Sequence, residues 1–199
     1  MLNVFAPINP LGYGVAGANI AKHLQMRQDI ALFIIGEPYL TNTNDQEILQ
    51  KALVNSRLPD WNAPCLKIWH QHDMSLFVGR GERIGFPFFE LDDFSEMEAH
   101  HLNSLDRILV CSQWAKDVVT TRLNFAEDRV HVVPLGVDSN LFRSAETSSK
   151  DTVFFNCGKW EIRKGHDVLC DIFNKAFTKS DNVKLVMMPN NPFLSFDFI

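Results

Sequence analysis

The strongest constraint on the fold is a regular alternation of short apolar runs with segments of helical period. Leu2–Ala6, Ile30–Ile35, Leu66–Trp69, Arg83–Phe89, Arg107–Cys111 and Val130–Val133 read as six strands, most of them rich in Ile, Val, Leu and Phe. Between them lie helical stretches. Ala18–Leu24 has helical spacing, and from Asn44 to Asn55 the residues Ile48, Leu49, Ala52 and Leu53 mark one face, with Asp45 and Glu47 in the first turn. Ser95-Glu-Met-Glu98 has the form of a capping box and starts a helix that runs to about Leu105. Ser112 caps a further helix over Gln113–Leu123. Strands separated by helices are joined by crossovers rather than hairpins. The pattern therefore predicts an α/β fold: a Rossmann-like parallel sheet with helices on both faces.

After Val133 the pattern breaks and resumes. Pro134 ends the sixth strand, Gly136 turns the chain, and Asp138 opens a polar run from Ser139 to Asp151. A strand over 152–157, a helix over 165–177 and a strand over 183–188 follow. The closing Pro189–Ile199 has no helical period. The expected organisation is a first domain over 1–143, a linker over 144–150, and a partial second α/β unit over 151–199. The 199 residues, 46% hydrophobic and 22% charged, suffice for one good core plus part of another domain.

Composition narrows the function classes. A net charge of −5 argues against a generic binder of nucleic acid or acidic membranes. Cys65, Cys111, Cys157 and Cys170 have neither CxxC nor metal-like spacing, which points to a reduced, cytoplasmic compartment. The opening MLNVFAP has no basic stretch and no long apolar run, so no signal peptide is expected, and no segment reaches the length of a membrane span.

Four places carry candidate chemistry. The strand ending at Cys157 feeds Gly158, Lys159, Arg163 and Lys164 at the start of a helix. Backbone N–H groups and the helix dipole favour an anion there, although a solvated basic loop would read the same way. Gly12, Gly14 and Gly17 fit G-x-G-x-x-G, with Glu37 twenty residues on, which is the dinucleotide-binding spacing. Pro7–Leu11 lengthens the loop beyond what a pyrophosphate turn needs, and the glycines would equally let a helix pack close to the sheet. His70 and His72, with Asp73, follow the third strand. That spacing hints at a metal, but a polar cluster at the carboxyl end of a parallel strand fits a ligand cleft better. Glu90, Asp92 and Asp93 sit at the end of the fourth strand, as cleft carboxylates or as loop and helix-dipole solvation.

The junction VVPLGVD, linker, strand, then GK(x)4KGHDVL, together with LDRILVCSQWAKDVV before it, resembles the domain junction of family 4 glycosyltransferases of GT-B fold. The resemblance covers nearly the whole chain in order and is closest from Leu105 to Phe177. It implies a GT-B N-terminal domain followed by the start of a C-terminal domain. The implied activity is sugar transfer from a nucleotide-diphosphate donor to an acceptor that is a glycan, lipid or protein. It implies no resident cofactor and no metal, since basic side chains and helix N-termini neutralise the leaving diphosphate. The family's G-R-x-x-x-x-K-G places its diphosphate-binding Arg and Lys at Lys159 and Lys164. Lysine at the first position keeps the charge but lacks the bidentate fork, and Arg163 stands nearby to compensate. The Gly12–Gly17 loop would face the cleft, lined also by His70 and His72. Glu90 aligns with the acceptor-side residue that is often His and sometimes Glu in the family. Members carry an E-x7-E pair well downstream, whereas only Asp197 is acidic after Pro189. The chain alone is thus expected to bind nucleotide weakly, with an oligomer or partner completing the second domain. Two other classes remain at this point: a Rossmann module for nucleotides using GYGVAG and Glu37, and a non-catalytic glycosyltransferase remnant acting as a binding subunit.

Overall fold

The structure, a computed structural model, describes residues 1–123, 125–144 and 150–191. Most of the expected linker (145–149) and the closing segment with Asp197 lie outside these residues. The chain divides into two compact units, Met1–Val137 and Asp138–Ile199.

The first unit holds six strands: β1 (Leu2–Pro7), β2 (Ile30–Ile35), β3 (Cys65–His70), β4 (Arg83–Phe88), β5 (Arg107–Val110) and β6 (Val130–Val132). All pair in parallel, in the order β2-β1-β3-β4-β5-β6. Four helices connect them: α1 (Gly12–Gln25), α2 (Thr43–Asn55), α3 (Glu96–Asn103) and α4 (Gln113–Leu123). The predicted Rossmann-like parallel sheet is thus present.

Alternation along each strand sends neighbouring side chains to opposite faces. Leu66, Ile68 and Phe86 join Val4, Ala6 and Leu32 in a core closed by Ala21 of α1 and by Leu49 and Ala52 of α2. Ile108, Val110 and Val130 pack on Leu102 of α3 and on Ala115, Val119 and Leu123 of α4. Helices therefore cover both faces. Each fully buried aliphatic side chain contributes roughly 1.5–3 kcal/mol of transfer free energy, which is why the sheet interior tolerates so few polar groups. Two exceptions are Asn3 of β1 at 0% exposure, whose Nδ2 donates to the Asp60 carbonyl at 2.9 Å, and Lys67 of β3 at 2%, whose Nζ meets Asp73 Oδ1 at 3.3 Å.

Two local features shape the carboxyl edge of the sheet. Chain order reverses at β1, whose neighbours are β2 and β3, and such a switch point is where open α/β sheets bind ligands. Pairing of β4 with β5 ends at Gly85 and Ile108, so Pro87, which has no N–H, lies beyond the last pair.

The second unit is a two-stranded parallel sheet of β7 (Thr152–Lys159) and β8 (Val183–Asn190), joined by α5 (His166–Ala176). Phe154 packs on Phe173 and Phe177 from the α5 side, and Cys170 lies 3.4 Å from Met187. On the alternate positions, Val153, Phe155, Val186 and Met188 are exposed, Phe155 and Met188 at 62%.

Candidate functional site

Gly12 opens α1, so the glycines expected in a loop stand in the first turns of a helix. The turn before it is short: Asn9 Oδ1 accepts the Leu11 N–H at 3.0 Å, and no side chain caps the helix. A Cβ on Gly14 would lie 2.2 Å from Asn9 Oδ1 and 2.3 Å from the Asn9 carbonyl oxygen. One on Gly17 would lie 2.3 Å from the Pro7 carbonyl oxygen. The clearance these two glycines provide is filled by the chain's own turn. Gly12 has no atom within 4 Å of that position and remains open to a ligand. Glu37 is exposed in the segment after β2, beyond Gly36.

Between the first two glycines stands Tyr13, which sequence reasoning missed. Its hydroxyl donates to the Phe88 carbonyl at 3.1 Å, at the end of β4. Its ring lies 4.2 Å from His70, 5.1 Å from Phe88 and 5.9 Å from Trp69, centroid to centroid. Tyr13 thereby joins the start of α1 to the carboxyl ends of β3 and β4 in one aromatic cluster. Burial, then the charges of Glu90 and Cys111, push its phenol above the usual value, so it stays protonated. An aromatic flanked by glycines just after a strand is the signal that could have marked it.

His70 and His72 stack at 4.9 Å with planes 23° apart. Burial first, and the charge of His72 second, lower the His70 pKa, while Asp73 opposes them. His70 is therefore a neutral imidazole near neutral pH, able to donate from one nitrogen and accept at the other. Gln71, between them, donates to Glu98 Oε1 at 2.9 Å. Glu98 also completes the capping box with Ser95, and the bond from the Ser95 backbone is the main cause of its lowered pKa. This carboxylate ties the start of α3 to the end of β3, another contact that sequence did not signal. Glu90 is exposed just past β4, and its charge acts on Tyr13. The structure thus brings His70, His72 and Glu90 to the carboxyl edge where α1 begins. No group of three or more His, Cys, Asp and Glu side chains suited to a metal occurs among the described residues.

The basic loop of the second unit is built differently. β7 delivers Lys159, a 3₁₀ turn spans Ile162–Lys164, and Gly165 (φ 69°) takes the left-handed conformation that lets α5 start at His166. Glu161, whose part the sequence did not reveal, stands among the cations. Lys159 Nζ lies 2.5 Å from its Oε1, and Arg163 Nε lies 3.0 Å from its Oε2. The Lys164 ammonium lies over Gly158, 3.3 Å from where a Cβ would be. The hydrogen bond from Lys159, then the charges of Arg163 and Lys164, hold the Glu161 carboxyl below its ordinary range. His166 is 2% exposed and stacks on Trp160 at 5.2 Å with planes 11° apart. Its Nδ1 accepts the Glu161 N–H at 3.2 Å, which fixes the ring's orientation beneath the loop.

Residues 57–141 match the family model described as Glycosyltransferase Family 4. The matched stretch runs from before β3 to beyond β6 and contains His70, His72, Glu90 and Glu98. Together with the six-stranded parallel sheet it supports a general glycosyltransferase assignment and agrees with a GT-B N-terminal domain. Gly12–Gly17 and Lys159–Lys164 fall outside it, so the match is shorter than the resemblance drawn from the whole sequence. No curated protein matches the chain. Among the described residues, no helix is long and apolar enough to cross a membrane.

Proposed function

We propose that this chain serves sugar transfer from a nucleotide-diphosphate donor, with the basic loop of the second unit receiving the diphosphate. The observation that carries this reading is the convergence of Lys159, Arg163 and Lys164 beside the start of α5, in a chain whose first unit carries the glycosyltransferase match. Cations and helix N–H groups fixed in advance can stabilise charge that develops on a leaving diphosphate, and they need no reorganisation as it forms. In this reading Lys159 and Lys164 contact the diphosphate oxygens, with Arg163 as the planar donor that the first position lacks. No cofactor or metal has a part.

The acceptor belongs to the first unit in this proposal. Tyr13, Trp69 and Phe88 offer aromatic faces, His70 and His72 offer imidazoles, and Glu90 offers an exposed carboxylate. Such a mixture suits a polyhydroxylated acceptor, whose C–H faces stack on rings while its hydroxyls exchange hydrogen bonds with the polar groups. Glu90 is the residue proposed to orient the acceptor hydroxyl.

A thermal-shift and calorimetry series tests the donor assignment. Nucleoside diphosphates should raise the melting temperature in proportion to RT ln(1 + [L]/Kd), and nicotinamide dinucleotides should not. A larger shift with a nicotinamide cofactor would refute the proposal and favour the G-x-G-x-x-G reading. The close approach of Asn9 to Gly14 already speaks against that alternative. A binding-subunit role draws support from one observation, the uncovered apolar positions Val153, Phe155, Val186 and Met188 on the small sheet. Light scattering that finds only monomer across a wide concentration range would leave that second role without support.

A further inference from the structure

The cations of the basic loop are not held apart waiting for a ligand. Glu161 lies two residues after Lys159 and two before Arg163, and its carboxylate spans both: one oxygen on the ammonium at 2.5 Å, the other 3.0 Å from the guanidinium nitrogen. Two oxygens bridging two cations is the arrangement an incoming phosphoryl group would itself adopt. The backbone makes this geometry persistent. The Glu161 N–H is fixed to His166 Nδ1, and the His166 ring is buried against Trp160. The backbone of Glu161 is thus anchored, and its side chain is 20% exposed.

We propose that Glu161 is a built-in competitor for the anion site: its carboxylate occupies the position of a phosphoryl group between Lys159 and Arg163, and a diphosphate binds by displacing it. This inference rests on the reading of the loop as the diphosphate site and adds a control to it. Among the described residues, the Glu161 carboxylate already offsets part of the positive charge of Lys159 and Arg163 before any ligand binds. A monoanion gains little by exchanging with a covalently tethered carboxylate. A diphosphate brings more charge and more oxygens, can engage Lys164 at the same time, and so has a surplus with which to expel Glu161. The loop therefore selects ligands with two linked phosphoryl groups and disfavours small anions of single charge.

The alternative role for Glu161 is to brace Lys159 and Arg163 in their binding positions, and the two roles predict opposite signs. Calorimetric titration of the full chain with inorganic pyrophosphate, at fixed ionic strength, separates them. Glu161→Gln keeps the side-chain shape and the backbone bond to His166 while removing the charge. It should bind pyrophosphate about fivefold more tightly than the parent, the factor that corresponds to one partly exposed ion pair. Glu161→Ala should act in the same direction, which guards against an effect peculiar to the amide, and circular dichroism would verify that both variants fold. Tighter binding by the variants supports the inference, including the case in which only they bind. Unchanged or weaker binding, with the parent still binding, overturns the competitor role and leaves the diphosphate site standing. Absence of binding by parent and variants alike overturns the diphosphate site and this inference with it.

Discussion

Replacing the three glycines of α1 by alanine, one at a time, separates a packing role from a ligand-binding role. Alanine in a helix is favoured over glycine by about 1 kcal/mol, so each substitution begins with a gain. At Gly17 the new methyl would sit 2.3 Å from the Pro7 carbonyl oxygen and 3.2 Å from Ala6 Cβ. At Gly14 it would meet Asn9 at 2.2–2.5 Å, two of the three nearest atoms being backbone. A backbone obstacle cannot swing away as a side-chain end can, so α1 or the turn must move by close to an ångström. Overpacking of this kind costs about 1–3 kcal/mol, and the rigid obstacle puts both sites at the upper end. The net expectation is a loss of about 1–2 kcal/mol for Gly14→Ala and for Gly17→Ala after the helix gain is subtracted. Gly12→Ala meets nothing within 4 Å and should be neutral or stabilising by up to about 1 kcal/mol.

Urea denaturation without any ligand, followed by far-ultraviolet circular dichroism, reads these differences as shifts in midpoint at constant slope. The ordering Gly12→Ala at or above parent, with Gly14→Ala and Gly17→Ala below it, is the required result. If Gly14→Ala and Gly17→Ala are as stable as the parent yet lose nucleotide binding, these glycines make room for a ligand and the packing argument fails.

Other outcomes follow from the same structure. Lys164→Ala should weaken nucleoside-diphosphate binding by roughly 1.5–3 kcal/mol, the value of a charge-assisted hydrogen bond, while the melting temperature barely moves; a mutant binding as well as the parent removes this loop from the site. Asp73→Ala strands the buried Lys67 ammonium and should cost about 2–3 kcal/mol, less than a fully buried pair because Asp73 is 42% exposed, whereas Lys67→Met should be close to neutral. Equal effects in a thermal melt would show that this charge pair does not hold the segment after β3. Glu98 has a depressed pKa, so its contribution is fully present above the unfolded value and is lost as pH falls through the folded one. Glu98→Gln should therefore lose about 1 kcal/mol at neutral pH, the value of a cap, and nothing relative to parent once both are in strong acid; a pH-independent difference refutes the linkage.

Much of the first unit was legible because its signals are local. Periodicity alone located all six strands, and the Ser95–Glu98 capping box was readable to the residue. The errors fall where packing across the sheet decides. The glycines looked like a loop because G-x-G-x-x-G is a loop signature, but Asn9 folds its turn so tightly that the helix begins at Gly12. Tyr13 could not be placed from sequence, since its partners Trp69, His70 and Phe88 come from strands more than fifty residues away. Lys67 is a charged residue within an otherwise apolar strand. Its burial depends on Asp73, which a sharp turn after β3 brings back beneath it.

Glu161 was hidden for a different reason. The pattern GK(x)4KG draws the eye to its fixed ends and treats the interior as spacer. The interior, however, carries a carboxylate near enough to reach both Lys159 and Arg163, and a 3₁₀ turn rather than a first helical turn gives it that reach. The family match ends at residue 141 and this loop begins at Lys159, so the two stretches share no residues. A failed pyrophosphate titration would leave the Glycosyltransferase Family 4 match of residues 57–141 and the parallel sheet untouched. Conversely, a positive titration would rest on the loop's charge, backbone and helix start and not on the match. That independence is what makes the loop the place to measure first: it is where the donor assignment stands or falls by its own chemistry.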